Sequence, residues 1–294
     1  MKEVVIVSGK GGAGKTSITA AFVALANGSV VADCDVDAAD LHLVLAPRET
    51  ERHAFYSGHE AIIRQDECVQ CGGCLAHCRF DAVVMNGKQA GSARFSIDPV
   101  FCEGCGVCVR FCPVQAIDFA EQLCGEWMIS DTDYGPMVHA RLHTAAENSG
   151  KLVATVRREA KKIAAAQSRK LIILDGPPGI GCPVIASITG ATLVLAVTEP
   201  TVSGEHDMER LLALARHFNI TAAVVVNKWD INKKITRRLE KRAQESGAIP
   251  VGRIRYDVAI TAAQVQGRSV MDQPESDAAV DSALLWARIQ ELMT

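Results

Sequence analysis

The sequence predicts an α/β fold, a doubly wound and mostly parallel sheet, and three observations support that class. Short, continuous apolar runs bounded by turn residues recur along the chain, as is typical of buried parallel strands. Stretches of helical period alternate with these runs. A cysteine-rich segment interrupts the alternation, which indicates a small α+β domain inserted into a larger one. We therefore expect a discontinuous domain, 1–57 and 121–294, with an insert at 58–120.

The individual elements follow from the local pattern. The chain opens with a predicted strand at 3–7, a glycine-rich turn, an alanine-rich helix at 15–26 and a second strand that ends at Asp33. After the insert, the same criteria predict helices at 151–167, 205–217, 233–246 and 277–293, and strands at 171–174, 192–197 and 222–226. In the last helix we expect Leu284, Leu285, Ile289 and Leu292 to face the core, so we predict no membrane anchor.

Charge and composition narrow the classes of partner. The 294 residues include 31 Lys and Arg against 34 Asp and Glu, a formal net charge of −3 that gives no general attraction to nucleic acid or acidic membranes. Basic residues recur along 233–242, but they alternate with ordinary solvated positions, so DNA is not an expected partner. The first apolar run, 4–7, is too short for a signal peptide, and we expect a cytoplasmic protein.

A phosphate-binding loop follows the first predicted strand. Residues 8–16 read Ser-Gly-Lys-Gly-Gly-Ala-Gly-Lys-Thr and lead into the first predicted helix, the context that a P-loop requires. Backbone N–H groups of such a loop turn toward phosphate oxygens, Lys15 reaches the outer phosphates and Thr16 offers its hydroxyl to Mg²⁺. The predicted nucleotide-binding residues of this loop are Gly9, Lys10, Gly11, Gly12, Ala13, Gly14, Lys15, Thr16 and Ser17.

Two later strand ends carry further candidate nucleotide ligands. Asp175 follows the buried run 171–174, where its carboxylate can hold a Mg²⁺ water beside the P-loop, and two glycines behind it allow the backbone to move. Asn227 ends another strand, and its amide can pair with a purine edge. The sequence Asn-Lys-Trp-Asp at 227–230 also fits the NKxD pattern of GTPases, in which the aspartate, here Asp230, recognises guanine, so ATP and GTP both stay open at this point.

Eight of the eleven cysteines form two copies of the bacterial ferredoxin spacing C-x₂-C-x₂-C-x₃-C. In two-cluster ferredoxins the fourth cysteine of each run binds the other cluster. We therefore assign one 4Fe–4S cluster to Cys68, Cys71, Cys74 and Cys112, and the other to Cys102, Cys105, Cys108 and Cys78. Zinc is the competing metal, but zinc ribbons separate two C-x₂-C pairs by a longer gap, whereas four cysteines crowd into 68–78 here.

The extra loop lysine, Lys10, resembles the signature lysine of the deviant Walker A P-loop ATPases, the family of MinD, ParA, the nitrogenase iron protein and the Mrp-type cluster carriers. The resemblance implies a MinD-like P-loop fold and a homodimer in which Lys10 reaches the partner's nucleotide. It assigns Lys10, Lys15 and Asp35 to catalysis, Asp35 because it matches the aspartate that positions or deprotonates the attacking water. Mg²⁺ would be held by Thr16, Asp35 and Asp175, and ATP is favoured over GTP.

Two further residues gain a candidate role from the same family. Asp257 resembles part of a loop that lines the base pocket, although an ordinary acid at a strand end fits equally well. Cys182 lies seven residues after Asp175, the offset at which the nitrogenase iron protein supplies a ligand to a cluster shared between subunits, with Cys124 as a possible second ligand. The alternatives for Cys182 are a structural thiol and a redox-sensitive residue.

The whole pattern resembles MinD-type ATPases that carry an inserted ferredoxin domain with two 4Fe–4S clusters. It predicts an Mg²⁺-dependent, dimer-dependent ATPase in which nucleotide state is coupled to electron transfer or to docking of an unidentified redox or apo-protein partner. Two alternatives remain open. One is an iron–sulfur scaffold or carrier of the Mrp type. The other is a positioning ATPase of the MinD and ParA kind, in which the clusters are structural.

Overall fold

The computed structural model describes residues 1–87, 94–143 and 149–294, so part of the predicted insert, 88–93, lies outside the described residues. The strands are β1 (Lys2–Ser8), β2 (Val30–Asp33), β3 (Arg48–Ile63), β4 (Val83–Asn86), β5 (Arg94–Ile97), β6 (Ile117–Thr132), β7 (Gly135–Leu142), β8 (Leu171–Pro178), β9 (Leu193–Thr198), β10 (Ala222–Asn227) and β11 (Ile249–Ile254). The helices are α1 (Lys15–Ala26), α2 (Leu41–Leu45), α3 (Gly73–His77), α4 (Val107–Arg110), α5 (Ser149–Ala166), α6 (Cys182–Ile188), α7 (Val202–His217), α8 (Lys233–Glu245), α9 (Val258–Val265) and α10 (Asp277–Leu292).

A nine-stranded sheet, in the order β11-β10-β9-β1-β8-β2-β7-β6-β3, confirms the predicted α/β class. The strands from β11 to β7 pair in parallel. Parallel strands bring their carboxyl ends to one edge of a sheet, and the loops there are the usual place for a ligand. The ends of β1, β2 and β8 therefore meet, and Asp33 and Asp175 are register partners across β2 and β8.

The chain divides into two compact units. The first comprises Met1–His53, Glu126–Leu142 and Ser149–Thr294, and the second comprises Ala54–Gly125 and His143–Asn148. The division falls within β3 and β6, two strands of 16 residues each. The sequence pattern predicts neither strand; β3 begins with mostly exposed polar residues that carry no apolar run. The assignment of 58–120 as a separate ferredoxin domain stays a prediction.

Apolar packing and a buried ion pair between Arg157 and Glu3 help to organise the first unit. Phe22 of α1 packs against Trp286 of α10, with ring centroids 4.8 Å apart. The Arg157 guanidinium lies 2.5 and 2.7 Å from the two carboxylate oxygens of Glu3, and its remaining nitrogen donates to the carbonyls of Ala186 and Thr189. Because both charges are buried and hydrogen-bonded, this network joins α5, β1 and the end of α6.

One predicted core position is wrong. Leu285 and Ile289 are buried as expected, but Leu284 is 68% exposed. Leu284 lies outside the buried stripe of α10. The buried positions recur at helical spacing and are Ala278, Ala279, Ser282, Leu285, Trp286 and Ile289. Across the described ranges, none of the helices is both long enough and apolar enough to cross a bilayer.

Candidate functional site

The predicted P-loop connects the end of β1 to the start of α1. Gly12 and Gly14 have φ angles of 81° and 88°, a conformation that glycine adopts without strain. A Cβ atom on Gly14 would also collide with the side-chain amide of Asn227. The loop conformation and the close approach of Asn227 both require glycine at position 14.

Lys15 lies between two carboxylates at the carboxyl edge of the sheet. Its Nζ is 2.9 Å from Asp175 Oδ2 and 3.3 Å from Asp35 Oδ2. Burial by itself would lower the pKa of the Lys15 ammonium, but Asp175 and Asp35 raise it above its ordinary value. The lysine is therefore charged, and its charge is balanced by these two acids.

Asp175 collects the groups that were predicted around Mg²⁺. Thr16 Oγ1 donates to Asp175 Oδ2 at 2.8 Å, and Thr19 Oγ1 donates to Oδ1 at 2.7 Å. The predicted magnesium residues Thr16, Asp35 and Asp175 are thus within one network around Lys15. Hydroxyl and carboxylate oxygens are the ligand types that Mg²⁺ prefers, so the residues present fit the ion.

The loop after β2, residues 34–41, carries Asp35 and is called the first switch from here on. It is held by Asp33, a residue to which the sequence motifs assigned no role. Asp33 is fully buried, and its two carboxylate oxygens accept the backbone N–H groups of Asp35 and Leu41. Burial, and then the nearby charge of Asp175, raise the pKa of Asp33 well above its ordinary value. Asp33 therefore ties together both ends of the segment that carries Asp35, and its position at the end of a buried strand was the available signal.

Lys10 and Lys228 share one carboxylate on the other side of the P-loop. Lys228 Nζ is 2.5 Å from Glu199 Oε1, and Lys10 Nζ is 3.7 Å from Glu199 Oε2 and 3.2 Å from Ser203 Oγ. Lys10 is 38% exposed on its side chain. Within this protomer Lys10 thus lies against α7 and its preceding loop, and Glu199 is a site residue that no sequence motif indicated.

The predicted base-binding residues are engaged by the protein itself. The Asn227 amide donates to the Ala13 carbonyl at 2.9 Å and its oxygen accepts from the Lys228 backbone at 3.0 Å. Asp257 accepts from the N–H groups of Ala259 and Ala278, so it caps α9. Both residues line the cavity, and their roles in base recognition stay predictions.

A cavity is lined by Lys15, Thr16, Asp35, Asn227 and Asp257. Its empty volume is about 1550 Å³, counting space open to solvent, and it extends from the P-loop to Tyr256 and Gln264. Gln264 Nε2 donates to Ser17 Oγ at 2.9 Å, a contact that sequence analysis did not foresee. Asp230 of the NKxD pattern is not among the described residues that line this cavity, and its Oδ1 accepts the Tyr256 backbone N–H.

The second unit contains the cysteine repeats. Its helices α3 and α4 begin after Gly72 and Gly106, each with a φ of 71°. Its small apolar core contains Ala61, Ile63, Val83, Phe95 and Ile117, with five of the cysteines packed against it. None of the eight repeat cysteines forms a disulfide bond.

Two cavities in this unit divide the repeat cysteines into the same two sets as the predicted ligand assignment. The first, with about 330 Å³ of empty space counting space open to solvent, is lined by Cys68, Cys71, Cys74 and Cys112. The second, with about 350 Å³ measured in the same way, is lined by Cys78, Cys102, Cys105 and Cys108. The remaining walls are mainly apolar, and the Ala116 N–H donates to Cys112 Sγ at 3.3 Å. Four thiols per cavity with an N–H donor to sulfur are a donor set that fits a cluster.

The repeat cysteines differ in acidity. Burial raises the pKa of Cys74 and Cys108. For Cys78 burial acts in the same direction, but N–H groups of residues after it outweigh burial and lower its pKa. Among residues 1–87, 94–143 and 149–294, no three His, Cys, Asp or Glu side chains are arranged to hold one metal ion.

The three other cysteines differ in exposure. Cys34 is buried, and burial raises its pKa well above the ordinary value. Cys124 is buried and its thiol donates to the Ser57 carbonyl at 2.9 Å. Cys182 is exposed at the start of α6, and its suggested role in a shared cluster stays a prediction.

Comparisons with known proteins give the family. The CobQ/CobB/MinD/ParA nucleotide-binding domain family matches residues 4–270. The uncharacterized protein MJ0578 of Methanocaldococcus jannaschii is 34% identical over 238 residues, 78% of this chain and 79% of that protein. Pyruvate synthase subunit PorD of Thermotoga maritima is 32% identical over 57 residues, 19% of this chain and 54% of that protein.

A solved structure agrees with the fold. The septum site-determining protein MinD of Pyrococcus horikoshii, complexed with Mg-ADP, superimposes with a TM-score of 0.60 at 17% identity, over 99% of this chain and 96% of that one. The chain therefore belongs to the CobQ/CobB/MinD/ParA family of nucleotide-binding domains, within which it has the fold of the MinD and ParA P-loop ATPases.

Proposed function

We propose that this protein binds and hydrolyses MgATP as a homodimer, and that its nucleotide state is coupled to electron transfer or partner docking through two 4Fe–4S clusters. The observation that carries the proposal is the coexistence, in one chain, of an assembled P-loop site and two cavities that each collect four cysteines. Their combination in one chain favours a linked function.

The nucleotide half of the proposal rests on the network around Lys15. When an outer phosphate approaches, Lys15 can exchange its contacts with Asp175 and Asp35 for phosphate oxygens. Thr16 and Asp175 would then hold Mg²⁺, and Asp35 would be released to orient the attacking water. The fold shared with a MinD solved as an Mg-ADP complex supports this assignment.

The nucleotide half of the proposal includes a homodimer, and this part rests on Lys10. Its ammonium is partly exposed and pairs only loosely with Glu199, at 3.7 Å. A lysine side chain held this weakly can turn away from its own protomer at small energetic cost. It can then stabilise phosphate charge on the partner's nucleotide. We expect ATP turnover per protomer to rise with protein concentration, and Lys10→Ala to lower it at concentrations where wild-type protein is dimeric.

The cluster half rests on the two four-cysteine cavities. Cys68, Cys71, Cys74 and Cys112 would hold one cluster, and the other four repeat cysteines the second. Bound clusters would supply one-electron transfer. Backbone N–H groups near Cys78 and Cys112 would stabilise thiolate charge. The short likeness to a subunit of pyruvate synthase is consistent with this half of the proposal.

The site favours ATP over GTP. Recognition of guanine by an NKxD motif needs a free aspartate carboxylate that faces the base. Asp230 accepts the Tyr256 N–H and is not among the described cavity residues. We expect ATP to compete with GTP for the same site and to bind more tightly.

The experiment that tests both halves combines an iron and sulfide count with nucleotide binding on anaerobically purified protein. The proposal requires about eight irons per chain together with Mg²⁺-dependent ATP binding. Protein that binds ATP but takes up no iron after anaerobic reconstitution would contradict the cluster half alone.

A positioning ATPase of the MinD and ParA kind is the second candidate, favoured by the shared fold. The basic helix α8 gives it little support as a DNA-binding surface, because Arg238 and Arg242 pair with acidic residues of α7, chiefly Glu205. ATP-dependent binding to DNA or to lipid vesicles, in the absence of any redox effect, would favour this alternative.

A further inference from the structure

A second polar cavity lies in the first unit, beside the first switch. Its empty volume is about 760 Å³, counting space open to solvent, about half that of the nucleotide cavity. The part that water-sized molecules can enter is about 310 Å³, at the lower end of the range for small-molecule sites. Its lining includes His42 of α2, Glu49 and Arg52 of β3, Glu126 of β6, and His139 and Arg141 of β7.

Strand alternation explains why these polar side chains converge. Glu126, Met128 and Ser130 are alternate residues of β6, and His139 and Arg141 are alternate residues of β7, so each set lies on one face of its strand. The segment from Ala39 to Pro47 supplies further lining residues. Polar groups on a sheet face that is partly covered in this way need a partner or a ligand.

Arg52 engages most of the carboxylate oxygens of the cavity. Both Glu49 carboxylate oxygens accept from its guanidinium, at 2.9 and 2.6 Å, and Glu126 Oε2 accepts from its third nitrogen, Nη1, at 2.8 Å. Three of the four oxygens of these two acids thus accept from one guanidinium. A cationic ligand would have to compete with Arg52 for them.

The donors, in contrast, are open. Arg141 is exposed, and within the part of the chain that the structure describes no carboxylate lies at ion-pair distance from it. His139 is only 8% exposed, and its Nε2 lies 2.8 Å from Ser130 Oγ, which leaves Nδ1 as the ring nitrogen that can contact a ligand. The His42 ring lies parallel to it, with centroids 6.5 Å apart.

From these engaged acceptors and open donors we infer that the cavity binds a small metabolite through an oxyanion, a carboxylate or a phosphate group, held by Arg141 and His139. A guanidinium pairs with either group through parallel hydrogen bonds. Burial, with a smaller contribution from His42, lowers the pKa of His139 to about 4, so the ring is neutral and offers a hydrogen bond without adding charge.

The ligand would be linked to the nucleotide through a shared wall. Ala38, Asp40, Leu43 and Val44 line the nucleotide cavity, whereas Ala39, His42 and Ala46 line the second one. Residues 38–46 thus separate the two cavities, and a shift of this segment on nucleotide binding changes both. Linkage then requires that each ligand alters the affinity of the other by the same factor. Only this step rests on the proposed nucleotide binding.

Inorganic phosphate and succinate are the two probes that test the inference, each titrated into the protein with MgADP present to fill the P-loop. NMR of the His42 and His139 imidazoles reports occupancy of this cavity, and sodium chloride at equal ionic strength is the control. We expect at least one probe to shift both rings saturably. The probe that does so identifies the oxyanion class.

Variants make the outcome decisive. Arg141→Gln should weaken binding of the effective probe by about tenfold or more, because a charge-assisted pair is lost. Arg48→Gln, another exposed arginine near the start of β3 but outside the lining, should leave binding unchanged. Unshifted imidazoles with both probes at about 10 mM, or equal binding by Arg141→Gln and wild type, would overturn the site. An ADP affinity that the effective probe leaves unchanged would overturn the linkage.

Discussion

The Lys15 ammonium lies 2.9 Å from Asp175 Oδ2 in a site where the two side chains are 6% and 1% exposed. Asp175 also accepts hydrogen bonds from Thr16 and Thr19, so a single carboxylate joins the P-loop, α1 and the end of β8. A buried pair of this kind is costly to break from one side, because the remaining charge has no equivalent partner. The P-loop site is therefore coupled to the stability of the fold.

Asp175→Asn should lower the free energy of unfolding by about 3 kcal/mol, because it leaves the Lys15 ammonium buried with only Asp35 as counter-ion. Urea unfolding followed by circular dichroism measures the change. Asp37→Asn, an exposed acid in the same switch, is the matched control and should stay within about 0.5 kcal/mol of wild type. Equal stabilities for the two variants would contradict the role given to the pair.

Gly14→Ala should impair both folding and nucleotide binding, since position 14 has a positive φ and a Cβ there meets the Asn227 amide. We expect a loss of about 1–3 kcal/mol in stability. Gly11→Ala is the control for stability, because nothing lies within 4 Å of a Cβ at position 11. Thermal melts with and without MgADP measure both effects, and a Gly14→Ala protein as stable as Gly11→Ala would be inconsistent with the loop geometry.

Paired cysteine variants test the crossed division of the repeats. Cys68 and Cys112 line the same cavity. Cys68→Ala and Cys112→Ala should therefore each remove about half of the iron, and the double variant should remove no more than either single variant. Cys68→Ala combined with Cys102→Ala, which affects both cavities, should remove nearly all of it. Iron content per chain after anaerobic reconstitution gives the answer, and additive losses for the first pair would refute the assignment.

The lowered pKa of His139 predicts that the free energy of unfolding depends on pH. Its pKa in the folded protein is lowered to about 4, below the ordinary value of about 6.5 in the unfolded chain. The unfolded state therefore binds more protons between these values, and stability contributed by neutral His139 is complete above about pH 6.5 and is lost as the pH falls toward 4, by about 3 kcal/mol in total.

Urea unfolding at several pH values between 4 and 7 measures this slope. His139→Gln should flatten it, whereas His206→Gln, an exposed histidine of α7, should leave it unchanged. A slope that survives in His139→Gln would assign the pH dependence to other groups.

Sequence patterns predicted those parts of the molecule that are set by local chemistry. The helix of the P-loop begins at Lys15 and ends at Ala26 as expected, because a strand, a glycine-rich turn and an alanine-rich run are local signals. Buried apolar runs likewise located β8, β9 and β10 to within a few residues. The division of cysteines between two cavities follows from the spacing of the two repeats.

The remainder depends on contacts between distant residues. Glu199 lies between Lys10 and Lys228 only because β9 and β10 are neighbours, and Asp33 spans the first switch only because that loop returns to the end of β2. The long strands β3 and β6 are stabilised by pairing with neighbours more than by an apolar pattern. The burial of Leu285 and the exposure of Leu284 also depend on distant contacts, because the packing of α10 decides which of the two adjacent leucines is buried.

Coupling between nucleotide and clusters is tested most directly by anaerobic redox titration, with the cluster signals followed by EPR in the presence and absence of Mg²⁺ and a non-hydrolysable ATP analogue. We predict that the analogue shifts at least one cluster potential, by about 59 mV for each tenfold difference in nucleotide affinity between redox states. Lys15→Ala should abolish the shift. Identical potentials with and without the analogue, in protein shown to bind both iron and nucleotide, would contradict the coupling.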